Sequence, residues 1–257
     1  MDPMKTSSVL VTGANRGLGL ELVKQFLTSA NPPDQIFATC RDPAGPGAQV
    51  LMDLAKKHPN LFLHKMDTAD PDSIKEAATQ VASQLNGKGL NLLINNAGIN
   101  SYCTLENSNS EEMMFLYSTN VVGPMLVSKA FLPFLKIAAQ SSHKEGMFCG
   151  KAAVINISSL FGSIQKCSET FSMAQMYPYR ISKAALNMLT RCLSLDLQKE
   201  NILCVAIHPG WVKTDMGGTQ APLEVSDSIQ GMLRVLSSLT EKNTGQFLDW
   251  QGQQLPW

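Results

Sequence analysis

The amino-acid sequence predicts one α/β domain over residues 1–257, built on a doubly wound parallel sheet of about seven strands with helices on both faces. Two observations predict this fold. Short apolar runs alternate with helical patterns along the chain, and this alternation requires right-handed crossovers that cover a parallel sheet on both sides. The 257 residues, 44% of them hydrophobic, can also bury one sizeable core. No repeat, low-complexity tract or linker indicates a second domain.

The predicted strands are short aliphatic and β-branched runs. They are Val9–Val11, Ile36–Thr39, Leu61–Lys65, Leu92–Asn95, Ala153–Ile157, Leu203–Ile207 and Gln246–Leu248. The predicted helices lie between the strands and repeat apolar residues at helical spacing. They are Leu18–Thr28, Asp72–Leu85, Glu111–Ala138, Tyr177–Gln198 and Leu223–Ser238. The polar, glycine-containing stretch from Gln140 to Lys151 predicts a surface loop.

Charge and apolar patterning exclude several kinds of partner. The chain carries 21 Lys+Arg and 21 Asp+Glu, a balance that indicates neither nucleic-acid nor anionic-membrane binding. No apolar run reaches the ~18 residues that a spanning helix needs. The start, from Met1 to Ser8, lacks the apolar core of a signal peptide. We therefore predict a cytoplasmic protein with no membrane or nucleic-acid partner.

The cysteines show neither C-x-x-C pairs nor the spacing of zinc ligands, so we predict reduced thiols and no metal site. They are Cys40, Cys103, Cys149, Cys167, Cys192 and Cys204. The glycosylation sequon Asn156-Ile157-Ser158 falls at the end of a predicted buried strand, where we expect no modification.

A glycine-rich turn joins the first predicted strand to the first predicted helix, with the sequence Thr12-Gly13-Ala14-Asn15-Arg16-Gly17-Leu18-Gly19. Gly13 permits the tight turn, while Gly17 and Gly19 let backbone approach a ligand and let the helix pack close to the sheet. The helix N-terminus presents free N–H groups and a positive dipole end to a phosphate. The turn predicts a dinucleotide site in a Rossmann-type sheet, and the alternative is a structural turn without a ligand.

Tyr179 and Lys183 form a Y-x-x-x-K motif inside the predicted helix Tyr177–Gln198. Residues four apart share one face of a helix. A phenol titrates near ~10, and a nearby ammonium favours the phenolate and lowers that pKa. The pair is therefore a candidate general acid/base. Alone the motif is weak, because one core residue and one solvated residue often have the same spacing.

Together the two motifs resemble those of the short-chain dehydrogenase/reductase family. Further matches follow in the order of that family: Asn95-Asn96-Ala97-Gly98 after a predicted strand, Asn120 in a predicted helix, Asn156-Ile157-Ser158-Ser159 at a strand end, and His208-Pro209-Gly210-Trp211-Val212-Lys213-Thr214 after the sixth strand. The segments 37–43 and 245–250 resemble those of sniffer-type carbonyl reductases and bacterial C-factor proteins.

The resemblance implies a role for each member of a catalytic set. Tyr179 would donate a proton to the developing alkoxide, and Lys183 would assist it and bind the nicotinamide ribose. Ser159 would orient the substrate carbonyl, and its alternative role is a polar cap at a strand end. Asn120 would have a structural role and take part in a water relay, and the alternative interpretation is a surface asparagine. No G-x-S-x-G elbow surrounds Ser159, so a hydrolase triad is not indicated.

The second predicted strand indicates NADPH as the cofactor. NAD-selective proteins place an acid just after this strand, where the chain has Arg41. A guanidinium suits a 2′-phosphate, and Arg16 would reinforce it. Asp42 adjoins Arg41, and two solvated loop arginines are the alternative interpretation. The resemblance implies further cofactor contacts at Asn15, Leu18, Asp67, Thr68, Asn96, Ala97, Gly98, Pro209, Gly210, Val212 and Thr214.

These residues predict an NADPH-dependent carbonyl reductase that acts on ketones, quinones or reactive aldehydes. An NADP-dependent alcohol dehydrogenase would use the same residues in the oxidative direction. A cofactor-sensing regulatory or signalling protein on the same fold is the alternative from another class. The intact set of Ser159, Tyr179 and Lys183 argues against it, because pure binding needs no acid.

Substrate choice and assembly are predicted from the remaining segments. The stretch between Ser159 and Tyr179 is longer than the family usually has, so Phe161–Met176 is expected to shape the pocket, together with the loops Ser101–Asn109 and Met216–Val225. The helices Glu111–Ala138 and Tyr177–Gln198 carry apolar residues on more than one face, and the family often pairs them across a two-fold axis. We therefore predict a homodimer.

Overall fold

A computed structural model of the chain describes residues 5–142 and 145–257. Within these residues seven strands, all parallel, form one sheet in the order β3-β2-β1-β4-β5-β6-β7. The strands are β1 (Ser8–Thr12), β2 (Gln35–Cys40), β3 (Leu61–Lys65), β4 (Leu92–Asn95), β5 (Ala153–Ile157), β6 (Leu203–His208) and β7 (Phe247–Asp249). The strand order reverses between β1 and β4, which opens a crevice at their carboxyl ends.

Helices cover both faces of the sheet and bury one apolar core on each. They are α1 (Gly17–Thr28), α2 (Gln49–Lys57), α3 (Pro71–Leu85), α4 (Ser110–Tyr117), α5 (Gly123–Ser141), α6 (Cys167–Thr170), α7 (Tyr177–Leu197) and α8 (Val225–Ser238). One core, which includes Leu22, Leu51 and Met232, lies under α1, α2 and α8. The other, which includes Val81 and Phe131, lies under α3 and α5. The doubly wound fold predicted from the sequence is confirmed.

All seven predicted strands and the five predicted helices are present, with ends that differ by at most a few residues. The sequence analysis predicted no helix at α2 or α6. The nine residues of α2 span only about two and a half turns, and only Leu51 among them is buried. The four residues of α6 are too few to show a helical period.

The predicted helix Glu111–Ala138 is helical throughout but changes its winding in the middle. Residues Ser118–Val122 form a π-helical segment between α4 and α5. Such bulges are frequent at functional sites. This one carries Asn120, whose side chain is fully buried.

The continuous helical run Ser110–Ser141 corrects the expectation that no segment is apolar enough to span a membrane. An 18-residue window within its 32 residues has a mean hydropathy of 1.5, and 44% of that window is buried. Helix length and mean hydropathy alone do not distinguish a membrane span from the core helix of a soluble protein. Val127, Phe131 and Leu135 of this run pack into the core beneath the sheet.

Two sequence-based expectations extend beyond the described residues. The predicted surface loop from Gln140 to Lys151 begins inside α5, which ends at Ser141. His143 and Lys144 of that loop lie outside the described residues. Residues 1–4 of the N-terminal segment do so as well.

Candidate active site

The first two turns of α7 place Tyr179 and Lys183 on one buried face. The helix follows Met176, a non-glycine residue in the left-handed region with φ of 44°, and Pro178 stands in its first turn. Tyr179 and Lys183 are 9% and 5% exposed. The Lys183 Nζ donates a hydrogen bond of 2.8 Å to the carbonyl oxygen of Ile157, at the end of β5. The catalytic helix is thereby joined to the central sheet.

Burial governs the titration of both side chains. Desolvation raises the pKa of Tyr179 to about 12, against an opposing hydrogen bond with Ser159 that lowers it. Desolvation also lowers the pKa of Lys183 to about 8. The net shift is therefore opposite to the lowered Tyr179 pKa expected from the sequence, because removal of water from the phenolate outweighs the hydrogen bond with Ser159. The phenol is protonated at neutral pH and can act as an acid.

Ser159 is the serine that faces Tyr179. Its Oγ accepts a hydrogen bond of 3.2 Å from the backbone N–H of Phe161, and it bonds to the phenol. The neighbouring Ser158 instead donates to the Asn187 side chain at 2.6 Å. Ser159 thus caps the turn after β5, as its alternative interpretation predicted, and also belongs to the catalytic cluster.

Asn187, which the sequence analysis did not identify, holds this turn on α7. Besides accepting from Ser158, its Nδ2 donates to the carbonyl oxygen of Gly162 at 3.2 Å. Gly162 approaches so closely that a Cβ there would lie 2.6 Å from the carbonyl carbon of Lys183. Asn187 lies one helical turn beyond Lys183, and that spacing was the only available sequence signal.

Asn120 is a buried connector, so its interpretation as a surface asparagine is wrong. Its Oδ1 accepts from the N–H of Ile99 at 2.9 Å, and its Nδ2 donates to the Ile99 carbonyl oxygen at 2.8 Å. The same Nδ2 donates to Ser182 at 3.0 Å. Asn120 therefore ties the loop after β4 to the catalytic helix. A Cβ on Gly98 would meet both Asn120 Oδ1 at 3.3 Å and Lys183 Nζ at 3.6 Å, so Gly98 adjoins the same cluster.

The glycine-rich turn forms an open cradle at the start of α1. Gly13 has φ of +63°, and a Cβ there would lie 2.9 Å from Ala97. On Gly19 a Cβ would lie 2.2 Å from the Gly13 carbonyl oxygen. On Gly17, with φ of +53°, it would meet only the Thr214 side chain, at 3.6 Å. No side chain caps the first turn of α1, so its N–H groups suit a phosphate.

Thr12 and Asn96 hold this cradle against the loop after β4. Thr12 Oγ1 accepts from the N–H groups of Asn96 and Ala97, at 3.0 and 2.9 Å. Asn96 Nδ2 donates back to the carbonyl oxygens of Thr12 and Gly13, at 2.8 and 3.2 Å. The sequence analysis identified Asn96 and Ala97 but gave Thr12 no role of its own. Asn15 adds a bond of 3.2 Å to the Gly47 carbonyl oxygen.

The two candidate phosphate ligands stand at the outer end of the crevice. Arg41 follows β2 and is exposed, as is Arg16. Arg16 pairs with Asp215 across 2.8 Å, and the two side chains are 65% and 80% exposed. The sequence analysis missed Asp215, which lies 199 positions from Arg16. The Asp42 carboxylate occupies the place that a side chain on Gly45 would take, so it lies within the turn after β2.

The segment after β6 forms the opposite wall of the crevice. The Pro209 carbonyl oxygen accepts from Ser228 of α8 at 2.6 Å, and Gly210 has φ of +88°. Val212 pairs with Leu223 in an isolated parallel bridge. Thr214 Oγ1 accepts from Gly217 at 3.0 Å. Because a Cβ on Gly17 would lie 3.6 Å from the Thr214 side chain, this segment approaches the glycine-rich turn.

Asp67 and Thr68 follow β3 at the same carboxyl edge of the sheet. The Asp67 carboxylate accepts from the N–H of Ala69 at 2.9 Å. Thr68 is buried, and its carbonyl oxygen lies 2.6 Å from where a Cβ on Gly123 would stand. All of the candidate site residues thus lie along one edge of the sheet or on helices that pack against it.

His208 ends β6 and is not placed as a base. Burial lowers its pKa to about 4, with a smaller opposing effect of Asp249. Its Nδ1 has no hydrogen-bond partner among the described residues. Over the same part of the chain, no group of three His, Cys, Asp or Glu side chains could hold a metal ion.

This fold and this site define a nucleotide-dependent oxidoreductase. The family model of the short chain dehydrogenases matches residues 7–224, and the chain belongs to that family. It is 53% identical to the NADPH-bound carbonyl reductase from chicken fatty liver, with a TM-score of 0.96 over 99% of this chain and 95% of that one. It is 42% identical to the carbonyl reductase Sniffer of D. melanogaster, with a TM-score of 0.93 over 98% of this chain and 100% of that one.

A curated relative is the protein named C-signal of Myxococcus xanthus. The two are 38% identical over 169 residues, which are 65% of this chain and 93% of that protein. The resemblance to sniffer-type reductases and C-factor proteins that the sequence indicated is confirmed by these comparisons.

Proposed function

We propose that this protein is an NADPH-dependent carbonyl reductase in which Tyr179 is the general acid. The observation that carries the proposal is the cluster of three buried side chains, Tyr179, Ser159 and Lys183, with Lys183 one helical turn from Tyr179 on α7. The similarity to an NADPH-bound carbonyl reductase supports the choice of cofactor and of reaction.

The residues present fit the cofactor. The cradle around Gly17 is open, and the uncapped first turn of α1 would receive the pyrophosphate. Arg41 and Arg16 would bind the 2′-phosphate, and Asp67 with Thr68 would contact the adenine. The remaining contacts to the cofactor would come from Leu18, from Asn96, Ala97 and Gly98 after β4, and from Pro209, Gly210, Val212 and Thr214 after β6.

When bound, NADPH supplies the hydride that reduces the carbonyl carbon. Ser159 Oγ accepts from Phe161, and its hydroxyl proton would turn from the phenol of Tyr179 to the substrate oxygen and orient it. Tyr179 then gives its proton to the alkoxide oxygen, a contribution of ~10²–10⁴ in rate. Lys183 stabilises the phenolate that remains and holds the nicotinamide ribose. Asn120 and Asn187 keep the loop after β4 and the turn after β5 in place around α7.

The surface around the site indicates apolar substrates. Each of the three predicted substrate loops exposes large apolar side chains: Tyr102 and Leu105 from the first, Ile164 and Met173 from the second, and Met216 from the third. Tyr102 also donates to the Met216 carbonyl oxygen at 3.1 Å, which joins the first and third loops. Ligand sites of this kind are lined mainly by apolar side chains. Ketones, quinones and reactive aldehydes with apolar bodies fit such a surface.

Two alternative functions use the same fold. Oxidation of an alcohol would run the same step in reverse, with Tyr179 as the base, and the similarity to two carbonyl reductases favours reduction instead. A regulatory or signalling role is favoured by the similarity to C-signal. The complete set of Tyr179, Lys183 and Ser159 nevertheless favours an enzyme over a cofactor sensor.

The expected assembly is a homodimer, and the expected location is the cytoplasm. On α7 the side chains of Ile181, Met188 and Leu195 are exposed and stand seven residues apart, so they form one apolar stripe. On α4 Met114 and Phe115 are exposed as well. A second copy of the chain would cover both surfaces.

Oxidation of NADPH in the presence of quinones, diketones and reactive aldehydes tests the proposed function. We expect turnover that depends on the carbonyl compound and is much slower with NADH. Faster reaction of NADP⁺ with the matching alcohols would favour the dehydrogenase. Tight NADPH binding without turnover of any compound would favour the cofactor sensor and contradict the proposal.

A further inference from the structure

Arg180 follows the catalytic tyrosine, and its side chain is only 6% exposed. Within residues 5–142 and 145–257, no carboxylate forms an ion pair with it. A buried charge is costly unless its polar atoms are hydrogen-bonded. The guanidinium must therefore be compensated by other groups around α7.

The compensation comes from residues 160–176, here called the insert, which join Ser159 to α7. Nε and Nη2 of Arg180 donate to the Ala174 carbonyl oxygen at 3.1 and 2.8 Å. Nη2 also donates to the Thr170 carbonyl oxygen at 2.7 Å, and Nη1 donates to Thr170 Oγ1 at 2.9 Å. The planar fork thus binds two points of the insert at once, which a lysine ammonium could not reproduce.

Two aromatic rings of the insert complete the environment. Arg180 Cζ lies 4.2 Å from the ring centroid of Phe161 and 5.7 Å from that of Phe171. A cation beside an aromatic face is attracted to it. Phe161 and Ala174 in turn pack against the apolar cluster that contains Tyr179 and Met176. Arg180 therefore holds the beginning and the end of the insert beside the catalytic phenol.

The rest of the insert has weaker anchors. Its side chains Ile164 and Met173 are 76% and 65% exposed. The Trp257 carbonyl oxygen accepts from the N–H of Gln165 at 2.9 Å and from Ser163 Oγ at 3.3 Å. Met176, where the insert enters α7, is in the left-handed region, a conformation that persists only where the surroundings hold it.

We propose that Arg180 is a positioning residue whose guanidinium fixes the conformation of the insert beside Tyr179 and thereby determines which carbonyl compounds are accepted. The selectivity half of this inference rests on the proposed reductase function. The conformational half does not, because it concerns only contacts within the chain.

Hydrogen exchange of backbone amides tests the conformational half without any turnover. In Arg180→Gln, we expect amides of residues 161–175 to exchange at least about tenfold faster, with the glycine-rich turn unchanged. Arg180→Lys should accelerate exchange as much as Arg180→Gln does, because the contacts require the planar guanidinium and not only its charge. Arg234→Gln, at an exposed arginine on α8 across the sheet, is the matched control. Unchanged exchange in the insert of both Arg180 variants would overturn the proposal.

Steady-state kinetics test the selectivity half. Arg180→Lys should change kcat/KM by at least about fivefold more for bulky aromatic carbonyls than for small aliphatic ones, with NADPH affinity within about twofold of the parent. An equal loss on all substrates would refute the role in selectivity. If Arg180→Gln fails to fold, Thr170→Val removes one of the four hydrogen bonds and should give the same changes to a smaller extent. If the parent protein turns over no carbonyl compound, the reductase function fails, while hydrogen exchange still decides the positioning role.

Discussion

The Lys183 Nζ lies 5.7 Å from the centroid of the Tyr179 ring, and the ammonium donates its hydrogen bond to the Ile157 carbonyl oxygen. The lysine is thus close enough to stabilise a phenolate, while its hydrogen bond holds it at the end of β5. Burial dominates both pKa values, so the phenol is protonated and the ammonium is the more readily titrated of the two.

The first prediction concerns pH. Because burial lowers the pKa of Lys183 to about 8, the ammonium is charged below that pH and neutral above it. The raised pKa of Tyr179 keeps the phenol protonated over the same range. The kcat/KM for NADPH, which reports the free protein, should be constant below pH 8 and fall by about tenfold per pH unit above it. A profile that stays flat to pH 10 would exclude Lys183 as the controlling group.

The second prediction concerns the cofactor phosphate. Arg41→Ala should weaken NADPH binding by at least about tenfold, because a charge-assisted hydrogen bond contributes ~1.5–3 kcal/mol. NADH binding should stay nearly the same, since NADH lacks the 2′-phosphate. Titration of both cofactors by fluorescence measures this, with Arg234→Ala as the control. Equal losses for the two cofactors would refute the phosphate assignment.

The third prediction concerns Asp215, the partner of Arg16. If the carboxylate competes with the 2′-phosphate for the guanidinium, Asp215→Asn should tighten NADPH binding by up to about fivefold, in line with the small contribution of exposed ion pairs. NADH affinity should not change. Weaker NADPH binding in this variant would show instead that the pair closes over the bound cofactor.

Much of the fold was predictable because each strand is a short, mainly apolar run. The strand Ala153–Ile157, for example, is buried at every position, and its limits were predicted without error. The helix α2 was not predicted, because its nine residues are few for a helical period and only Leu51 among them is fully buried.

The site was predictable where a motif carries the chemistry and unpredictable where distant residues meet. The glycine-rich turn, Ser159, Tyr179 and Lys183 have characteristic spacing. Arg16 and Asp215 meet across 199 positions, and Arg180 binds an insert that no motif describes. The pKa of Tyr179 could not be inferred either, because it depends on burial rather than on the identity of its neighbours.

The fourth prediction concerns assembly. Met188 lies in the exposed apolar stripe of α7, so Met188→Glu should place a charge in the dimer interface and give a monomer. Light scattering should find about twice the 28.0 kDa chain mass for the parent protein and one chain mass for the variant. Val50→Glu, at an exposed position on α2, should leave the dimer intact. A parent protein of 28.0 kDa at micromolar concentration would rule out a stable dimer.

The acid role of Tyr179 is the central claim, and Tyr179→Phe tests it most directly, because only the phenolic oxygen and its proton are lost. The rate of carbonyl-dependent NADPH oxidation at saturating substrate should fall by ~10²–10⁴, while the Kd for NADPH stays within about twofold. Tyr177→Phe, two residues earlier on the same helix, should keep full activity. A loss of less than about tenfold in Tyr179→Phe would contradict the account, since general acid catalysis contributes more than that.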